Sequence, residues 1–599
     1  MADELQLKTR DVEFLLYEVF NVGDLVKNER YSHHDRETFA AVIELARDFA
    51  EQKFYPLAKP LDHNEPYLKD NKVVTIPELK NTLDEYRELG FTKMSADIAL
   101  GGMQLPFVIA QAAGAFLAAA NVSAIAYSFL TTAAANLLSK YGTASLKNRF
   151  LGPMIEGLFF GTMNLSEPQA GSSLADIKVV ATPTKSEHYL ISGTKMWISG
   201  GEHELSDNIV HMVLARLEGA PAGIAGISLF LVPKYREDSE GNFLKQNDIQ
   251  VVGLNHKMGW HGTTNTVLNY GENSDCHGYL IGEQNKGLLY MFHMMNEARI
   301  GVGMHATALG YTGYLHSLSY AKERIQGRRL GAPKTELNQV SIIEHPDIKR
   351  LLMMQKLAVE GSLALTLFCA FLYDKYLVET DSSSKEEINL LLELLTPVAK
   401  SWPSEYCLEA NKHAIQVLGG YGYTKDFPLE RFYRDNRLNP IHEGTHGIQA
   451  LDLIGRKIFI NEGRSFAYLL TLIKETISKA KEDVGLKIFA DQLEASIIQL
   501  ESVVESIKLK RKNSSDYLAL SSAGIFLDAF GLILIGWMWL KQGIVVFEKL
   551  RVEDANPFYL GKKSTIKFYF NHDLPKARER LDFIARFDSS FVEMERDWF

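Results

Sequence analysis

The sequence predicts an α+β protein in which a helical domain is followed by a β domain, a second helical domain and a further helical segment. Three observations carry this. The Ala-rich stretch 105–142, LPFVIAQAAGAFLAAANVSAIAYSFLTTAAANLLSKYG, is apolar on more than one face, as a helix buried from several sides must be. After Gly157 the pattern changes to alternation and β-branched residues, in HYLISGTKMWISGG, NIVHMVLARL, GISLFLVPKY, DIQVVGL and NTVLNYGE, separated by Gly, Asn and Asp turns. Helical periodicity returns at Gly287 and persists past Arg299, Tyr320, Leu351, Leu392 and Val417.

Taken in order, residues 1–34 are an extension of mixed charge whose apolar residues, in TRDVEFLLYEVFNV, suit a short helix packed on a neighbour. The first helical domain is expected over 35–158. Asp35 caps a helix in which Phe39, Val42, Ile43, Ala46 and Phe49 recur at helical spacing, and the 105–142 helix is the domain's centre. The β domain covers 159–280 and the second helical domain 281–460. From 461 to 599, SFAYLLTLIKETISKA and LEASIIQLESVVESIKLKRK read as amphipathic helices. Lys508, Lys510, Arg511 and Lys512 are expected to close the second one, where the helix dipole favours cations, with a membrane or phosphate patch as the alternative. The segment Ala523 to Phe547 is strongly apolar, and a spanning helix needs roughly 20 such residues. Asp528 and Lys541 leave only twelve uncharged residues between them, and Gly524, Gly531, Gly536 and Gly543 suggest close helix contact. A buried helix hairpin is expected there, with peripheral membrane contact of this domain as the alternative.

Composition narrows the function. The chain has 599 residues, 46% hydrophobic and 23% charged, as in soluble globular proteins. With 64 Lys and Arg against 74 Asp and Glu the net charge is −10, which argues against a nucleic-acid partner. Cys276, Cys369 and Cys407 are odd in number and far apart, with neither disulfide nor metal-knuckle spacing, as in a reducing compartment. The N-terminal MADELQLKTRDVEF has no apolar core of signal length and Asp-Trp-Phe is no receptor-read address, so a cytoplasmic location is expected.

The chemistry concentrates between Gln416 and Arg456, QVLGGYGYTKDFPLERFYRDNRLNPIHEGTHGIQALDLIGR. Glu443 lies between the apolar-and-Pro lead-in Asn439, Pro440, Ile441 and the small residues Gly444 and Thr445, a setting that suits a proton-abstracting base. Two readings compete. His442-Glu443-Gly444-Thr445-His446 matches H-E-x-x-H, in which two histidines on one helix face bind zinc, and Glu462 stands where some such enzymes put a third ligand. That reading needs a regular helix, whereas Pro440 precedes the motif, Gly444 lies inside it and Gly447 follows.

The second reading is that the stretch resembles the acyl-CoA dehydrogenase family. Gln416 to Gly422 matches its Gln-x-x-Gly-Gly-x-Gly segment, Arg434-Asp435 its Arg-Asp pair, and Glu443-Gly444-Thr445 its Glu-Gly-Thr triplet with the catalytic base. His442 departs from the family's usual aromatic residue. The resemblance implies the fold: a helical domain, a β-barrel-like middle domain and a helical bundle. Here an extra C-terminal helical domain follows, as in the larger members similar to bacterial 3-(methylthio)propanoyl-CoA dehydrogenase-type proteins.

Residue by residue, the resemblance implies an FAD and acyl-CoA site. In GTMNLSEPQAGSSLADI, Leu165 and Ser166 would bond the flavin ring's polar edge and Ser172 would lie near a phosphate; Ser173 replaces the family's Asp. Trp197 would pack on the flavin and Ser199 bond near its N5. Asn296 and Arg299 would lie at the acyl-CoA mouth, with Arg299 suited to a phosphate or polar end. Ala298 stands where some members carry the base, so the base falls to Glu443. Arg324 would reach the FAD pyrophosphate across a subunit interface, although Gln326-Gly327-Arg328 replaces the usual Thr-Phe-Gly. Gln416, Gly419 and Gly420 would complete the dinucleotide site, and Gly444 and Thr445 would flank substrate and cofactor.

These parts imply α,β-dehydrogenation of an acyl-CoA thioester to trans-2-enoyl-CoA, a fatty acid β-oxidation step, with electrons passed to an electron-transfer flavoprotein. A homodimer is expected, because the family's FAD site spans two subunits. The alternatives are 3-(methylthio)propanoyl-CoA as substrate, an acyl-CoA oxidase, a DNA-binding flavin relative, and a zinc hydrolase.

Overall fold

The alternation in the β domain organises two cores at once, because both faces of its central strands are buried. The computed structural model describes residues 6–333, 335 and 337–599, with 293 and 294 in backbone only, so the first residues of the expected extension lie outside the described residues. It divides into two compact units, Arg36–Ala298, and Arg299–Phe599 together with the residues up to Asp35.

In the Arg36–Ala298 unit, the helices Arg36–Phe49 and Phe107–Tyr141 occupy the predicted stretches. The longer one is interrupted at Asn121, whose side chain accepts from the N–H of Ala124 (3.1 Å) and donates to the Phe54 carbonyl (3.2 Å), re-starting the helix. The expected all-helical domain also holds a small hairpin, β1 (Tyr67–Lys69) and β2 (Lys72–Val74). Its Asp70-Asn71 turn has both residues at positive φ (51° and 60°), as a type I′ turn requires. Strands of three residues are too short to show alternation, which is why this hairpin escaped the sequence reading.

The β domain comprises β3 (Phe159–Asn164), β4 (Val180–Pro183), β5 (Tyr189–Ser199), β6 (Asn208–Leu217), β7 (Ile227–Pro233), β8 (Tyr235–Glu237), β9 (Phe243–Gln246), β10 (Ile249–Leu254), β11 (Asn265–Tyr270) and β12 (His277–Ile281). Strand β4 pairs with both β5 and β6, β6 with β7, β7 with β12, and β12 with β5, so five strands close a barrel-like ring. Strand β3 runs parallel to β6, while β11 and then β10 continue from β5. Side chains alternate across a strand. Val210, Met212 and Leu214 of β6, with Leu229 and Leu231 of β7, therefore pack with Ala134, Leu137 and Phe150, while Val213, Ala215, Phe230 and Val232 pack with Ile191, Leu268 and Tyr270.

The other unit is helical. Its long helices are the latter part of Gly287–Glu323, then Pro346–Val378 and Ser382–Leu418; the shorter Leu429–Asn436 and His446–Gly455 follow. The C-terminal domain adds Arg464–Lys481, Lys487–Asn513, Ala523–Val552, Pro557–His572 and Leu574–Ala585. The expected hairpin at 523–547 is instead one continuous helix, Ala523–Val552. Its glycines do not break it but admit neighbours. A Cβ on Gly531 would stand 2.3 Å from Trp402, and one on Gly536 3.3 Å from Leu574.

The N-terminal extension packs within this same unit: Val12, Phe14, Leu15 and Leu16 are fully buried. Lys562 pairs with Asp11 (2.7 Å) and with Glu360 (2.9 Å), all three side chains being buried, and the Tyr31 hydroxyl donates to Asp374 (2.7 Å).

Replacing Gly531 by Ala forces a methyl against the fully buried Trp402. The expected loss is about 1–3 kcal/mol, as for other overpacked cores. Gly524, with open space at its Cβ position, gains up to about 1 kcal/mol from the same change through helix propensity. Unfolding midpoints should therefore move in opposite directions.

Candidate active site

Glu443 stands in a turn whose backbone is held from several sides. Both Glu443 and Gly444 have left-handed φ, 52° and 89°, an unusual conformation for a glutamate. The buried Lys400, on the Ser382–Leu418 helix, donates to the Gly444 carbonyl (2.7 Å), and the buried Gln449 donates to the Glu443 carbonyl (3.0 Å). The Thr445 hydroxyl accepts from the N–H of Ile448 (3.4 Å) and so caps the His446–Gly455 helix. The side chain expected to touch cofactor thus also caps a helix, and as an acceptor there it keeps its O–H for donation. Gly444 is required, since a Cβ there would stand 2.6 Å from Gln449 Nε2 and its φ disfavours other residues.

Before the turn runs a relay of buried amides. Asn411 donates to the Leu309 carbonyl (2.8 Å), Asn436 to Asn411 Oδ1 (2.7 Å), Asn439 to Asn436 Oδ1 (2.9 Å), and His442 Nε2 to Asn439 Oδ1 (3.1 Å). Burial and the nearby Lys400 charge push His442 well below its ordinary pKa, so it stays neutral and takes its place as a hydrogen-bonded polar ring.

Glu443 keeps part of its surface open, yet burial of its carboxyl raises its proton affinity, and the charges of Lys400 and Arg299 pull it part of the way back. Arg299 is not at an open mouth. It is 5% exposed and its guanidinium pairs with Asp452 (2.8 Å), which Arg456 also holds, so the expected phosphate contact is corrected to an internal ion pair beside the base. Asn296 lies half-buried on the same helix, and Glu297 accepts from Asn136 (2.7 Å). Close approach of the two cation-bearing helices depends on Gly303, where a Cβ would stand 1.9 Å from the Ala399 carbonyl oxygen. His446 opens the next helix between Glu405 and Asp528, 3.8 Å from each, so the C-terminal domain reaches the helix that follows the base.

This geometry removes the zinc reading. The helix needed by H-E-x-x-H begins only at His446, His442 lies in the turn before it, and Glu462 sits in a separate left-handed turn.

A second part of this unit gathers four predicted residues. Arg324, Gln416, Gly419 and Gly420 line one cleft of about 740 Å³, with Gln326, His345 and Tyr421. A Cβ at Gly419 or Gly420 would meet nothing within 4 Å and would project into open space, so the bare backbone is what an approaching anion meets there.

In the other unit, Leu165, Ser166, Trp197 and Ser199 are assembled around a buried ion pair. Lys195 Nζ lies 2.9 Å from Glu167, both side chains being at most 2% exposed, and donates to the Leu165 carbonyl (2.9 Å). Glu167 also accepts from the N–H groups of Lys178 (2.6 Å) and Val179 (3.1 Å). Burial takes the Lys195 pKa down to about 8; for Glu167 the same effect is outweighed by the lysine and the two N–H groups, which leave its pKa lowered. The Ser166 carbonyl accepts from the N–H of Met196 (3.0 Å), and the Ser199 hydroxyl from Asn265 (3.2 Å). Between Lys195 and Ile198 the register with β11 shifts by one residue. This bulge gives Trp197 a φ of 65° and leaves the indole 57% exposed, the re-aiming that bulges perform beside functional sites. Ser172 is exposed in the adjoining loop. The exposed ring beside a pinned loop of backbone groups fits a flat heterocycle.

Comparison with known proteins decides the family. Models of the acyl-CoA dehydrogenase N-terminal, middle and C-terminal domains match residues 36–158, 162–269 and 285–459, and one described as acetyl-CoA dehydrogenase C-terminal like matches 469–595. A 3-methylmercaptopropionyl-CoA dehydrogenase of Ruegeria pomeroyi is 36% identical over 478 residues, 79% of this chain and 80% of the relative. The chain belongs to the acyl-CoA dehydrogenase family. A broad-specificity linear acyl-CoA dehydrogenase of Mycobacterium tuberculosis is 30% identical over 98% of both chains. An acyl-CoA dehydrogenase from Bacillus anthracis complexed with FAD shares the fold over 98% of this chain and 93% of its own, with a TM-score of 0.73 at 18% identity. The family's enzymes are FAD-dependent oxidoreductases that act on the CH–CH bond of acyl-CoA, and the extra C-terminal domain belongs to a recognised type.

Substituting Lys195 by Met leaves the buried Glu167 carboxylate without its counter-charge, held by neutral N–H donors alone. Stability should fall by about 3–5 kcal/mol, as for other broken buried pairs. Chemical denaturation measures the loss, and the FAD retained on purification should fall with it.

Proposed function

We propose that this acyl-CoA dehydrogenase uses Glu443 to remove the α-proton of an acyl-CoA thioester, producing the trans-2-enoyl-CoA that a β-oxidation sequence requires. The observation that carries this is Glu443 itself: a glutamate fixed in a left-handed turn, its proton affinity raised by burial, with Gly444 and Thr445 following as in the family. A carboxylate whose pKa is moved toward that of the carbon acid is the better base for it. Bound FAD would supply the acceptor for the β-hydrogen, which leaves as hydride. Leu165, Ser166, Trp197 and Ser199 would hold its ring, with Ser172 near a phosphate. Arg324, Gln416, Gly419 and Gly420 would hold its pyrophosphate and adenine half. In the family that half comes from a second subunit, which supports a homodimer.

The relatives' names point to two acyl groups. In 3-(methylthio)propanoyl-CoA a sulfur replaces one methylene of pentanoyl-CoA, and a pocket separates such near-isosteres weakly. We assign straight short acyl chains and the methylthio acyl group to the same pocket, an electron-transfer flavoprotein as acceptor, and a cytoplasmic location.

Anaerobic mixing with pentanoyl-CoA and 3-(methylthio)propanoyl-CoA should bleach the flavin with both. In Glu443→Gln the rate of bleaching should fall about 100-fold or more while FAD content is unchanged. Reoxidation by air as fast as turnover would replace the dehydrogenase with an oxidase.

A further inference from the structure

Lys400 is absent from the motifs that define the site, yet its side chain is tied directly to the turn that carries the base. It lies between Pro397 and Pro403 on the Ser382–Leu418 helix, is 0% exposed, and spends a hydrogen bond of 2.7 Å on the Gly444 carbonyl. A lysine buried this completely is costly unless it is paired or hydrogen-bonded. Here the groups that face it are the base turn and its surroundings.

We propose that Lys400 is a positioning residue for dehydrogenation. It locks the left-handed Glu443-Gly444 turn through the Gly444 carbonyl and supplies positive charge that favours the ionised form of Glu443, ready to accept a proton. This inference rests on Glu443 being the base. Two roles are combined in one ammonium group. The carbonyl contact fixes the peptide that leads into the Thr445 cap, and with Gln449 on the Glu443 carbonyl it leaves the turn no freedom to relax to ordinary φ. The charge acts on Glu443 together with that of Arg299. These cations differ in availability. Arg299 is shared with Asp452, so part of its field is cancelled, whereas the hydrogen bond from Lys400 goes to a neutral carbonyl.

The titratable and charged groups around the pair are Arg299 and His305 on the Gly287–Glu323 helix, and Glu405 on the helix of Lys400 itself. His442 precedes the base, and Asp452 and Arg456 lie on the His446–Gly455 helix. Burial lowers Lys400 to about 7 while Glu443 opposes the shift, so each charge sustains the other. The base must be ionised to act, so activity rises with pH through its titration. Loss of the cation raises the base further and moves that rise to higher pH.

The test uses the full-length FAD enzyme with Lys400→Met, Lys400→Gln and Lys400→Arg, each compared at wild-type FAD content and unfolding midpoint. The pH profile of flavin reduction by pentanoyl-CoA gives one readout. The infrared carbonyl band of protonated Glu443, assigned by its loss in Glu443→Gln and followed against pH without substrate, gives a second. In Lys400→Met the midpoints of the rise in rate and of the loss of that band should both move up by about one pH unit or more, and the plateau rate should fall about tenfold or more. Lys400→Gln keeps an N–H donor without the charge and should show the same pH displacement; it carries the test if the Met variant does not fold. Lys400→Arg should stay near the wild-type pH. Profiles of the Met or Gln variant that superimpose on wild type overturn the inference. Should Glu443→Gln itself keep the wild-type rate, the base assignment falls instead, so the two failures are distinguishable.

Discussion

Taking a carboxyl group out of water raises its affinity for a proton, and cations placed against it determine how much of that rise survives. Glu443 lies under this constraint, and much of the helical unit is arranged around it. One helix brings Arg299, a second brings Lys400, and the bare Cα of Gly303 lets the two approach closely enough for both charges to reach one carboxyl. Asp452 then takes up part of the Arg299 charge, so that cation tempers the base's raised proton affinity without being spent wholly on it. The amide relay from Asn411 to His442 sets the entry to the turn, and the N-cap of Thr445 sets its exit.

The two units solve a similar local problem in the same way. Trp197 and Glu443 both adopt a left-handed backbone that neither residue type favours. Beside each, a buried lysine donates to a loop carbonyl: Lys195 to Leu165 and Lys400 to Gly444. A lysine head on a carbonyl anchors a loop through its backbone and leaves the neighbouring side chains to be chosen for chemistry. In the β domain the bulge at 196–197 adds the redirection of the indole, at the cost of a ladder contact with β11.

Much of the fold was legible because long elements carry strong periodicity. The 105–142 helix, the alternation of β5 to β7 and the return of helices at Gly287 stand where the pattern predicts them. The triplet at 443–445 was legible because its residue types are unusual together, and the turn that disqualifies a metal helix was foreshadowed by Pro440 and Gly444. Other features depended on partners distant in sequence. Lys195 and Lys400 read as ordinary lysines in mixed stretches, and only the packing reveals that one meets Glu167 and the other Gly444. Arg299 looked like a ligand for substrate because its partner, Asp452, is 153 positions away. The four glycines at 523–547 signalled close contact correctly but not its geometry. Small residues admit neighbours such as Trp402 to a straight helix as readily as they permit a chain reversal.

That glycine-bearing helix also bears on how the chain is made. The segment Asp516–Val552 has a mean hydropathy of 2.1 over its most apolar window, long enough and apolar enough by composition to enter a bilayer. Several of the surfaces that cover it, around Trp402, Leu486 and Leu493, precede it in the chain. Domains fold as they leave the ribosome, N-terminal parts first. Part of its receiving groove is therefore synthesised before the helix itself, and the rest, the Pro557–His572 and Leu574–Ala585 helices, follows directly after it, which shortens the interval in which so greasy a segment is without a partner.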